Sequence, residues 1–165
     1  MAAFSANMMQ VDFESIMEMK EEHIVQVFHA LKDAGLSLFL GETLTICEPE
    51  VKQYVKNARI DGDEVVSEVN GMEIRITEEQ FAGMFNLPNE GPSMIADIPD
   101  HISEAMLGAF GKNQLAKRTG KKADLKTEFR ILNDIVHRGL WAKERAFDAY
   151  TEERFILMTV IMRRI

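Results

Sequence analysis

The chain has one cysteine, Cys47, so it can close no internal disulfide and cannot supply a multi-thiolate zinc site. A reducing compartment follows, and the expected localisation is intracellular, in cytoplasm or nucleus. No apolar run approaches the ~18 residues that a membrane span requires. The run Phe155-Ile-Leu-Met-Thr-Val-Ile-Met162 is far too short. The first ten residues lack a basic start and a long apolar stretch, so no signal peptide is expected. Positive charge is in deficit as well. A net charge of −8 disfavours a general nucleic-acid binder, whose affinity comes mainly from neutralising phosphates. There is no H-E-x-x-H, no G-x-S-x-G, no G-x-x-x-x-G-K-[ST] and no G-x-G-x-x-G, and no internal repeat.

What is present describes a folded chain. At 165 residues, 46% hydrophobic and 28% charged, residues 1–165 are expected to form one domain with a full core. The expected class is mainly α (α+β): about six helices, with one antiparallel β-hairpin at residues 64–76 packed on them. Ile24, Val27, Phe28 and Leu31 recur at helical spacing, and Gly35 is a natural stop. A second helix is expected from Pro49 to the turn pair Asp61-Gly62, lined on one side by Val51, Tyr54, Val55 and Ala58. The hairpin is the clearest element. Glu64–Val69 and Met72–Ile76 flank Asn70-Gly71, a pair suited to a type I′ turn because both residues accept φ > 0. Thr77-Glu-Glu-Gln80 then reads as a capping box, opening a helix with Phe81, Met84 and Phe85 inward. Asn89-Glu-Gly-Pro92 reads as a loop. Further helices are expected at about Pro99–Phe110, with Ile102, Met106 and Leu107 inward, at Asp124–Arg138, and at Thr151–Arg164 with Thr151 as N-cap. Leu140, Trp141 and Phe147 are expected to anchor the last connection.

Chemistry is sparse. Asp134-x-x-His137 and His101-x-x-Glu104 each place a carboxylate and an imidazole on one helix face, half of a metal site at most. Cys47 lacks a visible base and is expected to be buried and inert. No cofactor and no metal is implied. The eleven methionines, among them Met8, Met9, Met84, Met94, Met106, Met158 and Met162, are expected mainly in the core. The best candidate for a partner-binding surface is the basic segment carrying Lys112, Lys117, Arg118, Lys121, Lys122 and Lys126, opposed by Asp124. It reads either as an electrostatic docking site for phosphates or an acidic protein, or as a solvated loop.

Several stretches together resemble a plant protein family associated with transposons and retrotransposons. They are Val51-Lys-Gln-Tyr-Val-Lys-Asn-Ala58, Gly62-Asp-Glu-Val-Val-Ser67, Val69-Asn-Gly71, Ile76-Thr-Glu-Glu-Gln-Phe-Ala82 and Phe85-Asn-Leu-Pro-Asn-Glu-Gly91. Leu36–Gly41, Glu128–Ile135, Phe147–Ala149 and Glu153–Phe155 extend the likeness over nearly the whole chain. Tyr54 and Val55 depart from it, standing where the family has Phe and Tyr. The resemblance implies a mobile-element origin and no catalytic residues. Family members commonly continue further, so a C-terminal truncation at Ile165 is expected. The functional expectation is a non-enzymatic protein-interaction or assembly module, self-associating or binding a protein partner. The alternative is a nucleic-acid-binding accessory domain using residues 112–126.

Overall fold

The computed structural model describes residues 10–41, 47–88, 95–112, 117–140 and 148–164. Eight α-helices lie among them: α1 (Phe13–Met17), α2 (Glu22–Asp33), α3 (Ser37–Gly41), α4 (Glu48–Asn57), α5 (Glu78–Phe85), α6 (Asp100–Phe110), α7 (Thr127–Ile135) and α8 (Glu152–Arg163). Strands β1 (Arg59–Asp61), β2 (Glu64–Val69) and β3 (Met72–Thr77) form an antiparallel sheet in that order. Strands β4 (Gly120–Lys121) and β5 (Ala149–Tyr150) form a second, short ribbon. The two helices beyond the expected six are the one-turn segments α1 and α3, too short to show a helical period.

The main core lies between α2, α7 and α8, closed at one end by α6. Val27, Phe28, Ala30 and Leu31 of α2 meet Phe129, Leu132 and Ile135 of α7 and Phe155, Met158 and Ile161 of α8. The α2 periodicity therefore holds, with Ile24 half-buried at its edge. On α6 the fully buried residues are Ser103 and Phe110, while Met106 and Leu107 pack half-buried against the core. Phe110 is the ring around which this end is built, 4.5 Å from Phe129 and 5.1 Å from Phe155 between centroids. Helix α7 stops earlier than the apolar spacing predicts. Val136–Leu140 widens into a π-turn, which keeps Val136 and His137 inward.

Helix α2 ends in a Schellman motif. Gly35, at φ +75°, lets its own N–H reach Lys32 C=O and lets Leu36 N–H reach Leu31 C=O, both at 3.0 Å.

The sheet is not laid on this core as a bare hairpin. It forms a separate unit with α4 and α5, and Val66, Val69 and Ala82 stand outside the main core cluster. The turn is as expected, with φ +51° at Asn70 and +78° at Gly71. A second tight turn precedes it. Gly62 (φ +63°) and Asp63 join β1 to β2, so α4 ends at Asn57 and residues 59–61 become a strand. The expected continuation of the helix toward Asp61 fails because Arg59–Asp61 pairs with Glu64–Val66 instead. Ser67 Oγ–H donates to Tyr54 C=O at 2.7 Å, and Asn57 Nδ2–H to Glu68 C=O at 2.8 Å, fixing α4 over β2. Val55 and Ala58 consequently face solvent, contrary to the expected lining.

The capping box is complete. Thr77 Oγ1 accepts from Gln80 N–H, and Gln80 Oε1 accepts from Thr77 N–H, both at 3.0 Å. The unit meets the helical core where Phe39 of α3 packs edge-on against Phe85 and Phe81, and where Pro88 lies against Gly35. The expected loop at 89–92, the anchors Trp141 and Phe147, and Met8, Met9 and Met94 lie outside the described residues. Leu140 packs half-buried on the core. Of the other methionines, Met158 is buried and Met162, Met106 and Met17 pack on the core, but Met19, Met72 and Met84 are exposed.

Candidate interaction site

The basic segment is tied down at several points. Lys112 N–H donates to Asp124 C=O and Lys126 N–H to Phe110 C=O, each at 2.9 Å, on either side of the bridge between Gly111 and Leu125. Gly120 and Lys121 pair with Tyr150 and Ala149, and Tyr150 O–H donates to Lys117 C=O at 2.9 Å. A Cβ at position 120 would stand 2.9 Å from that phenol oxygen, so glycine is what lets Tyr150 close over the turn.

Two of the six cations are engaged within the fold. The Arg118 side chain is 23% exposed and reaches Asp100 at 2.7 Å, Glu152 at 3.1 Å and Glu104 at 3.5 Å. It also donates to Asp100 C=O at 3.3 Å. Asp100 and Glu152 open α6 and α8, so one guanidinium clasps the acidic first turns of both helices. The hydrogen bonds it donates, to Asp100 first and then Glu152, raise its pKa. Lys122 is likewise engaged, paired with Asp134 of α7. Lys112, Lys117, Lys121 and Lys126 make no ion pair with any described residue; the first three are exposed and Lys126 is half-buried.

Behind Lys122 lies a polar cluster that sequence reasoning missed. Arg154, 2% exposed, places Nη1 at 3.5 Å from Asn133 Oδ1. Burial lowers its pKa, with Asp134 and then Glu153 acting against that. One signal could have found it. Arg154, Met158 and Ile161 are spaced i, i+4, i+7, so Arg154 is on the inner stripe of α8. Its neighbour His137 is 2% exposed, and burial first, then the Arg154 charge, pushes its imidazole below the usual pKa, while Asp134 pulls the other way. A histidine whose folded pKa lies below its unfolded value of about 6.5 leaves the unfolded state holding more protons below that pH. Stability is therefore fully present above about pH 6.5 and falls as the pH drops toward the folded value. Urea denaturation at pH 7.5 and at pH 5.5 should show this loss, and His137→Gln should flatten it.

In both carboxylate–histidine pairs the carboxylate is engaged by a cation. Asp134 is occupied by Lys122, and Glu104 by Arg118, with His101 exposed beside it. Among the described residues no three His, Cys, Asp or Glu side chains are placed to hold a metal ion together. Cys47 is exposed, contrary to expectation, because it sits at the N-cap of the half-exposed helix α4. An open groove of about 950 Å³ between α1 and α3 is lined in part by Asp12, Phe13, Met17, Lys32, Ser37 and Leu38. Its Asp12 carboxylate caps α1, accepting from Ser15 N–H at 3.1 Å and Ser15 Oγ–H at 2.6 Å.

The remaining surface of note is the α4–sheet–α5 unit. One sheet face is ionic. Arg75 reaches Glu73 at 2.8 Å, Glu64 at 2.9 Å and Asp61 at 3.4 Å, and Arg59 reaches Glu73 at 3.3 Å. Val66 lies in register between Arg59 and Arg75 and has no exposed surface. Apolar surface elsewhere on the unit is open: Ile60 is 75% exposed, Met72 67%, Met84 61% and Val55 59%, with Phe81 also exposed. The inward orientation expected of Phe81 and Met84 fails because the buried position of α5 is Ala82, which leaves Phe81 and Met84 toward solvent. No helix among the described residues is long and apolar enough to cross a membrane. Compared with protein-family models, curated proteins and solved structures, the chain has no significant match.

Proposed function

We propose that the chain is a non-enzymatic protein-interaction or assembly module of a plant mobile-element-derived protein, and that its binding face is the α4–sheet–α5 unit. One observation carries this reading. Six large apolar side chains are exposed among the described residues, and Val55, Ile60, Met72, Phe81 and Met84 all lie on this unit; Met19 alone lies elsewhere. Apolar exposure gathered on one part of a fold marks a surface used for association. The mobile-element origin rests on the sequence resemblance.

The nucleic-acid alternative is less well supported. Arg118 and Lys122 already answer carboxylates within the fold, leaving Lys112, Lys117, Lys121 and Lys126. Lysine cross-linking in expressing cells tests the choice. Intermolecular links should concentrate on Lys52 and Lys56 of α4. Links concentrated on Lys112, Lys117 and Lys121, or none at all, would overturn the reading.

A further inference from the structure

The free edge of β3 has a feature that an ordinary sheet edge lacks: its outward-facing residues are complementary to themselves. In the two-residue hairpin, Val69 and Met72 close the turn as a hydrogen-bonded pair. Bonding to β2 then alternates, so Met72, Ile74 and Ile76 bond inward, while the backbone groups of Glu73, Arg75 and Thr77 face away. Thr77 N–H is taken by the Gln80 side chain. Glu73 and Arg75 remain, and their N–H and C=O groups have no backbone partner among the described residues. The side chains along this edge are accessible: Met72 is 67% exposed, and the Glu73 and Arg75 side chains are 52% and 46% exposed.

The geometry points to pairing of this edge with β3 of a second copy of the chain, antiparallel about a two-fold axis through Ile74. This deepens the interaction-module reading and rests on it. In that register Glu73 faces Arg75 of the second copy, and Arg75 faces its Glu73. These are the residues whose backbone groups point outward, so both become hydrogen-bonded in each copy. Met72 faces Ile76 of the second copy on the opposite sheet face. The contact is isologous, as a closed dimer requires. Alternatives are disfavoured by charge. A slip of two residues places Glu73 against Glu73 or Arg75 against Arg75, and like charges directly opposite destabilise a strand pair. A slip of one residue mismatches the outward hydrogen-bonding groups and turns apolar side chains onto the ionic face. Arg75 is held in place beforehand by Glu64, Glu73 and Asp61, which lowers the ordering cost of pairing.

Light scattering and sedimentation of the whole chain, from micromolar to millimolar concentration, test this with four samples. The wild type should rise toward twice the monomer mass. Glu73→Pro removes an N–H that serves no bond within the hairpin, and should remain monomeric with an unchanged circular dichroism spectrum. Glu73→Lys and Arg75→Glu should each weaken association at least about tenfold, since either places like charges across the axis. Mixing these two charge variants should restore a heterodimer. The introduced lysine of one variant then faces the introduced glutamate of the other, and the native Arg75 of the first faces the native Glu73 of the second. The mixing result carries the test should the proline variant fail to fold. A wild type that stays monomeric, a dimer unaffected by Glu73→Pro, or charge variants that do not recover on mixing would overturn the pairing. None of these results bears on whether cross-links fall on Lys52 and Lys56, so the broader reading stands or falls separately.

Discussion

Phe155→Ala should lower the stability of the chain by about 3–5 kcal/mol, the range for emptying a buried aromatic site. The side chain has no exposed surface. Its ring lies 5.1 Å from Phe110 and 6.1 Å from Tyr150, and Phe110 continues the contact to Phe129. These rings come from α6, α7, β5 and α8, so the cavity would open where four elements meet and none can collapse inward alone. Edge-on and tilted ring pairs add about 0.5–1.5 kcal/mol each beyond their buried area. A domain of this size loses about 2–4 °C of Tm per kcal/mol. Urea denaturation should show the midpoint falling with an unchanged slope. Phe155→Leu should cost much less, because it keeps most of the volume. A loss below about 1 kcal/mol for the alanine variant would show that the aromatic cluster is not the centre of the core.

The second large effect is expected at Gly35→Ala, about 2–4 kcal/mol. Two costs add there. The position holds φ +75°, where an L side chain is strained by about 1–2 kcal/mol. The added Cβ would also stand 2.7 Å from Pro88 Cδ, inside contact distance, against a ring that cannot rotate away. Relief requires Pro88 to move, and Pro88 follows the end of α5, where Leu87 N–H reaches Ala82 C=O at 2.8 Å. The substitution thus strains the stop of α2 and pushes apart the core and the sheet unit. Gly62→Ala is the control. Its φ is also positive, at +63°, but a Cβ there meets nothing within 4 Å, so it should show the backbone cost alone. Equal losses at the two positions would mean that the contact with Pro88 carries no weight.

Legibility in the sequence followed the range of the interaction. The Asn70-Gly71 turn, the Thr77–Gln80 capping box, the Thr151 cap and the stop at Gly35 are settled within a few residues, and each was readable. Strand β1 was not, because Arg59-Ile60-Asp61 is too short to show an alternating pattern. It exists through its pairing with Glu64–Val66. Periodicity showed which residues of α5 share a face but not what that face meets, so Phe81 and Met84 read as core and are exposed. Cys47 misled for a related reason: cysteine is usually buried, but here it begins a helix with no buried residue. The basic segment was visible as six cations close together in the chain. That Arg118 and Lys122 turn toward Asp100, Glu104, Glu152 and Asp134 depends on contacts 12 to 34 residues away in sequence, which no local pattern encodes. The self-complementary edge of β3 was half legible. Strand alternation alone puts Glu73 and Arg75 on one face, but which backbone groups remain free follows only from the observed register.

The joint between the sheet unit and the helical core, slender among the described residues, also governs the rates at which backbone amides exchange with solvent. The rings of Phe39, Phe81 and Phe85 and the Gly35–Pro88 contact hold a unit whose own apolar residues stand outside the main cluster. Such a unit opens at a lower free energy than the helices around Phe110 and Phe155. Amide deuteration should therefore proceed in two separated waves, β1 to β3 and α5 before α2, α7 and α8. The inner hairpin amides of Met72, Ile74 and Ile76 would then report the opening of the unit, while those of Glu73 and Arg75 report whether the edge is covered.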